Sequence, residues 1–543
     1  MHNTHCSAAM LAAVILLLAA PLPAGALVYP SVTVTDAGDG DVADNVCTLR
    51  EAIVAANTQS SYHGCVLSSP GTGSQTYIDF AIAGDATIAI GSALPEIETP
   101  VVVDGLSQPG ADCTRWPPTL EVTLTNPSNG PYDALVLGPG SSGSTIRGLV
   151  INGFDNTSSN FNAAIGIYTA YNHVECNLIG TDASGTVAMP NLRGIDMDSS
   201  SPGGGNDTAH DNVIGSDGTP KPYFARNLIT ANQYGQVDTR GYAPYANRIS
   251  GNYVGTDVTG TQSLTGGPLS DGIDIGGGNS PAHDNIVGWD GRGDPALMRN
   301  VISGITNSNF GGVTLEVGAY DNRIAGNYIG TDPSGTRAVP NFMGILIGSN
   351  ANVYHNLVGN DGTQDAASAR NVIAGNQFVG VALNGANGTY DNAVVGNYIG
   401  IGADGKPLGN GSYGISMNFG SVRTLVARNW IAGNPTAIRF FAIGGFADNS
   451  TATFLDNGSG AIADLPALAS DANCVLAPTG VEEDPQGANV PQTTFANNWW
   501  GAATGPNTPG AASVDPAVTA TPFLTSPPTV CTDVIFANGF DTP

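Results

Sequence analysis

Four short segments of this chain align with one another without gaps, and they restrict the fold more than any other feature. They are CNLIGTD from Cys176, GNYVGTD from Gly251, GNYIGTD from Gly326 and GNYIGIG from Gly396. Their asparagines, Asn177, Asn252, Asn327 and Asn397, lie 75, 75 and 70 residues apart. A second series, DNVIGSDG, DNIVGWDG and HNLVGNDG, carries Asn212, Asn285 and Asn356. A third, RNLI, RNVISG, RNVIAGN and RNWIAGN, starts at Arg226, Arg299, Arg370 and Arg428. Gly-apolar-x-apolar strands begin at Gly194, Gly272, Gly312, Gly344, Gly380 and Gly414. Each fragment reads as a short strand with apolar residues at alternate positions. None can bury an apolar face alone, so the fragments must stack as a solenoid. Seven steps separate Gly166 from Gly414, about 35 residues per turn, right for coils of three short strands. The prediction is an all-β chain: a right-handed parallel β-helix of about ten or more coils, with recurrent Asn forming a ladder at a corner.

Composition agrees. Charged residues are only 11%, Gly contributes 73 residues, and lysine occurs only at Lys221 and Lys406. Gly is costly inside helices, so a helical protein is excluded. A hydrophobic fraction of 41% recurring periodically excludes disorder. The formal charge of −28 excludes nucleic acid, whose phosphates need Lys and Arg. It suits Ca²⁺, a neutral or cationic glycan, or simply solubility, and an anionic polymer such as pectate would require bridging cations.

Ala8 to Ala20 form an apolar run followed by Pro21, Pro23 and Ala24-Gly25-Ala26, which reads as a signal peptide over 1–26. Its first ten residues lack Lys and Arg. No later stretch reaches the ~18 apolar residues of a membrane span. The expected localisation is secreted, and a monomer is expected. Six cysteines remain after Cys6, an even number that points to disulfides in an exported chain. Proximity favours Cys47 with Cys65 and Cys474 with Cys531, although the sequence leaves the connectivity open.

A solenoid needs a cap at each end. Thr48-Leu49-Arg50-Glu51 matches a capping box, followed by a helix with Leu49, Ile53 and Val54 on one side. The expected segments are 27–75 as the N-terminal cap, 76–460 as β-helix, and 461–543 as an irregular C-terminal cap and tail. Within the last, Asn497-Asn498-Trp499-Trp500-Gly501 reads as a plug rather than a sugar platform. Asp182, Asp257 and Asp332 in the GTDxxGT inserts read as turn residues rather than calcium ligands. His210 and His283 mark a repeat position.

The segment Cys47-Thr48-Leu49-Arg50-Glu51-Ala52-Ile53 resembles the CSLREAI segment that opens many exported bacterial β-helix proteins of the pectate-lyase-like superfamily, with Thr in place of Ser. Leu94-Pro95-Glu96-Ile97, Val103-Asp104-Gly105 and Gln108-Pro109-Gly110 resemble the first coils of that group, and the NNWWG run resembles its C-terminal end. With the repeats, the resemblance covers about residues 40–505. The tail, Asp533 to Asp541, looks like a short terminal motif of secreted proteins. The resemblance implies the fold and export. It does not choose a function, because the superfamily includes pectate lyases, polygalacturonases and adhesins.

In the Gly-apolar-x-apolar strands the x side chain points away from the core. Read coil by coil, x is Tyr168, Asp196, Asp238, Asp274, Thr314, Leu346, Ala382 and Ser416. Three consecutive coils thus present a carboxylate from one column, expected at ~5 Å spacings along an exposed face. Asp198, Arg240 and Glu316 stand two positions further on. Like charges that close require a bridging cation, an arginine or a retained proton. Asp196, Asp238, Asp274 and Arg240 are therefore the candidate catalytic set for a glycoside hydrolase or polysaccharide lyase, with Asp198 and Glu316 as candidate Ca²⁺ ligands. The chain contains neither the GHG nor the RIK signature of polygalacturonases and lyases. The leading expectation is a secreted, non-enzymatic β-helix that contacts polysaccharide or a cell surface. The alternative is an enzyme acting through the aspartates.

Overall fold

The computed structural model describes residues 29–68, 75–158, 162–198, 208–264, 267, 271–348, 352–360, 365–384, 389–418, 424–441, 474–476, 479–484, 498–514 and 520–527. Residues 1–26, expected as a signal peptide, Cys531, Asn497 and the terminal motif lie outside them.

Successive strands join three parallel sheets in turn, so each coil gives one strand to each sheet. Among the described residues every sheet has 12 strands. The first runs from Ser31–Val34 to Leu425–Ala427, the second from Thr87–Ala89 to Cys474–Leu476, and the third from Leu135–Leu137 to Ser513–Val514. The chain is a parallel β-helix, and parallel crossovers of this kind are right-handed.

The core consists of aliphatic columns. In the third sheet Ile165, Ile195, Val237, Ile273, Val313 and Ile345 oppose one another coil by coil. The second stacks Ile151, Ile179, Ile229, Val254 and Ile302. All are fully buried. β-Branched side chains suit such stacks because their χ1 is already restricted in a strand.

The asparagines form ladders. From Asn172 through Asn212, Asn247, Asn285, Asn322 and Asn356 to Asn392, each Nδ2 donates to the next Oδ1 at 2.9–3.0 Å. A parallel ladder links Asn177, Asn227, Asn252, Asn300, Asn327, Asn371, Asn397 and Asn429 at 2.8–3.3 Å. At Asn227, Nδ2 also donates to the Val174 carbonyl and Oδ1 also accepts the Asn177 amide. Two donors and two acceptor positions are thus used, so the buried amide loses nothing on leaving water. The residue before each ladder asparagine is commonly left-handed, as at Asp211, Asp284 and Asp321, which explains the recurrent Asp-Asn and Gly-Asn pairs.

The other motif residues are absorbed by packing. Arg226, Arg299 and Arg370 of the RN series lie 4.2–4.5 Å over Tyr253, Tyr328 and Tyr398 of the NY series. Asp182, Asp257 and Asp332 accept backbone amides four and five residues on, closing turns. His210, Tyr245, His283 and Tyr320 stack in that order in an aromatic column at 4.6–5.2 Å.

At the N-terminal end, Thr48 and Glu51 form a reciprocal capping box opening the helix Leu49–Thr58. Leu49 and Ile53 join the core with Val32 and Ile78. At the other end Trp500 is fully buried in the same core, which leaves it no face for a sugar, and Trp499 is half-buried. Cys47 is bonded to Cys65, and Cys113 to Cys176. The second bond joins residues 63 apart in sequence, because a side loop meets the corner of a later coil. The expected partner of Cys474, Cys531, lies outside the described residues.

Candidate functional site

The third sheet places Asp196 opposite Asp238, and Asp238 opposite Asp274. The column continues through Thr314, Leu346, Ala382 and Ser416 to Arg439. Its first member differs from the expectation. Ile165 opposes Ile195, so Gly166 faces Asp196, and Tyr168 stands two residues on, level with Asp198. Both Ile165 and Ile167 can start an alternating pattern, and core packing selects the first.

A second correction concerns exposure. The three aspartates face away from the core, yet Asp196, Asp238 and Asp274 are only 2%, 3% and 6% exposed. Side chains three residues before them and two residues after them in the strands crowd over them. Arg193 Nε donates to Asp238 Oδ2 at 2.7 Å, and both side chains are buried. Arg240 Nη2 lies 3.6 Å from Asp196 Oδ2. Asp271 sits in the Arg193 column, opposite Gly235. A Cβ at Gly235 would come within 1.8 Å of Asp238 Oδ1, so only glycine admits this carboxylate.

Burial and crowding raise the carboxyl pKa values. Asp274 is pushed well up, first by desolvation and then by Glu316, Asp271 and Asp238. Asp271 is pushed well up by desolvation and by Asp238, against Arg193. Asp196 rises through desolvation, opposed by Arg240. Asp133, whose Oδ1 accepts the Ala163 amide at 2.6 Å, is raised by desolvation to about 7. Burial also pushes Tyr168 up, beside Asp133 and Asp196.

Oxygens of Asp238, Asp271 and Asp274 all lie within 4.8 Å of one another. Oδ1 of Asp271 and Oδ1 of Asp274 are buried and have no hydrogen-bond partner among the described residues. This donor set is hard and all-oxygen, the kind that suits Ca²⁺ or Mg²⁺. Asp198 and Glu316 are buried nearby, at 8% and 7% exposure, outside this trio. Asp133 and Asp271 escaped the sequence reading. Asp133 precedes the regular repeats, whereas Asp271 stands directly before the glycine of a motif, at a position that strict alternation assigns to the inward face.

Beyond Thr314 the same sheet face opens. A cavity of about 390 Å³ is lined by Phe310, Leu346, Phe378, Ala382, Asn384 and Ser416. Phe378 stacks on Phe342 at 5.6 Å and meets Tyr413 edge-on at 5.5 Å. Phe310, Phe342, Phe378 and Tyr413 are all half-buried.

No protein-family model matches the sequence, and no curated protein matches it. Solved structures similar to the chain include the periplasmic alginate epimerase AlgG, at 11% identity and a TM-score of 0.36, covering 83% of this chain and 76% of that one. Another is the A-module of the Azotobacter vinelandii mannuronan C-5 epimerase AlgE4, at 15% identity and a TM-score of 0.33, covering 90% of this chain and 95% of that one. The fold assignment rests on the strand pairing. Among the described residues no helix is long and apolar enough to cross a membrane.

Proposed function

We propose that this protein is an exported β-helix that holds a polysaccharide chain along the outer face of its third sheet, without cleaving it. The observation that carries the reading is the cavity of about 390 Å³ floored by Leu346, Ala382 and Ser416, with Phe310 and Phe378 at its side. Aromatic side chains offer apolar area to the C–H face of a sugar, and the half-buried Asn384 offers polar groups for its hydroxyls. Export is supported by the disulfides Cys47–Cys65 and Cys113–Cys176, which persist in oxidising compartments.

The burial of Asp196, Asp238 and Asp274 favours a supporting role over direct attack on a substrate. With Asp271, two of them form an anionic wall up the column from the cavity. A divalent cation held there would suit the groove to a uronate polymer. A second reading, acid/base cleavage, is favoured by the raised Asp196 beside Asp238. In that reading Asp196 donates a proton and Asp238 acts as base.

The deciding experiment is retention of the purified protein on immobilised neutral and uronate polysaccharides, with and without Ca²⁺. The same mixtures are assayed for new reducing ends and unsaturated products. Retention that Phe378→Ala abolishes, with no product, supports the binding reading. No retention on any polymer, or retention indifferent to Phe378→Ala, overturns it. Products lost in Asp238→Asn would establish the enzyme.

A further inference from the structure

A second cluster lies at the N-terminal cap, on the first sheet's end of the solenoid and outside the groove. His63 Nδ1 lies 3.1 Å from Asp41 Oδ1 and 3.2 Å from Glu51 Oε1. One ring nitrogen holds at most one proton, so two carboxylates share it. Glu51 is only 1% exposed, which makes an ion pair with a half-satisfied partner expensive. Two metal–ligand bonds of ~2.1 Å meeting at octahedral or tetrahedral angles separate their donor atoms by about 3.0–3.4 Å. The observed distances fall in that interval.

The donors are also held in advance. Glu51 Oε2 accepts the Thr48 amide and Oε1 accepts the Val42 amide, fixing the carboxylate plane. His63 occupies a turn closed by the Tyr62–Cys65 bridge and the Cys47–Cys65 disulfide. Its ring stacks on Tyr62 at 4.0 Å. A Cβ at Gly64 would meet the Val46 carbonyl oxygen at 1.8 Å, so glycine lets this turn lie against the chain before the helix. Such outer-shell support typifies metal centres. Asp41 is 45% exposed and leaves the open positions to water.

We infer that Asp41, Glu51 and His63 bind a divalent transition metal, of which Zn²⁺ is the natural probe, and that the ion pins the loop 41–46 and the turn 60–65 to the capping helix. Mixed imidazole and carboxylate ligands favour Zn²⁺ or Mn²⁺ over Ca²⁺. Binding through Nδ1 takes the neutral imidazole with its proton on Nε2, so a proton is released only from an imidazolium or a protonated carboxyl.

The test uses the full chain, stripped with EDTA and titrated with Zn²⁺ by calorimetry in excess Ca²⁺, which occupies all-oxygen sites. Wild type is expected to take up Zn²⁺ saturably, one ion per chain, and to melt at higher temperature with it. His63→Gln and Asp41→Asn are each expected to weaken binding at least ~10-fold and to lose the thermal shift. Asp41 is half-exposed, so Asp41→Asn decides the matter even if His63→Gln fails to fold. Absence of saturable Zn²⁺ binding, or affinity unchanged in Asp41→Asn, overturns the inference.

Discussion

Two halves of one column on the third sheet share a backbone and differ in everything else. Asp196, Asp238 and Asp274 stand in the same register as Leu346, Ala382 and Ser416. The first half is an ionic cluster sealed under Arg193 and Arg240, while the second floors a cavity. Strand geometry therefore decides only which way a side chain points. What it meets there is set by the residues three positions earlier in each strand: Arg193 and Asp271 over the acids, Met343 and Val379 beside the cavity. A solenoid can change surface chemistry coil by coil because its inward columns and Asn ladders carry the fold.

The comparison breaks most sharply at Arg193. Removing the guanidinium leaves Asp238 buried without its 2.7 Å partner. Arg193→Ala should cost about 3–5 kcal/mol in urea unfolding at pH 8. A loss below about 1 kcal/mol would mean that the acidic half is open to water in solution.

Acidity gives a second, smaller contrast. The carboxyls of Asp133, Asp271 and Asp274 have folded pKa values above the ordinary 3.8, with Asp133 at about 7. The native state then binds more protons than the unfolded chain between those values. Stability is therefore greatest near pH 4 and falls as pH rises toward 7, by ~1.4 kcal/mol per pH unit for each such group. Asp274→Asn cannot ionise, so it should flatten this slope and exceed wild type in stability at pH 7. Saturating Ca²⁺ should flatten the wild-type slope likewise and leave Asp274→Asn unchanged. Equal slopes in urea titrations from pH 4 to 7 would contradict the burial of these acids.

Most of the frame was legible in the sequence because solenoid energetics are local and repeated. A Gly-apolar-x-apolar strand can satisfy its apolar residues in only one way, and a buried Asn between tight turns must find another Asn. The alternation thus fixed the Asp196–Asp238–Asp274 column, including Asp238, whose strand lacks the motif's spacing. It failed at Tyr168, where Ile165-Gly166-Ile167 offers two registers separated by one pleat. It failed again on exposure, because burial of an outward residue depends on flanking residues that no motif contains. Arg193 and Asp271 are such residues. Cys113 pairs with Cys176 across a loop whose path depends on stacking, so sequence distance gave no guide.

The smallest expected effect tests whether neighbours or depth confine the acids to one half. Ser416 is 3% exposed, as sheltered as Asp238, and the next residue of its column is Arg439. Arg439 lies 4.7 Å over the Tyr413 ring on the same face. Ser416→Asp would set a carboxylate one coil, ~4.8 Å, from that guanidinium. If neighbouring charge is what makes a buried aspartate tolerable, the attraction offsets most of the desolvation, and stability should change by no more than about 1 kcal/mol. A loss of several kcal/mol would show that depth alone excludes acids from this half. The cluster at Asp238 would then be held by more than its arginine, and a bound cation would be the first partner to seek.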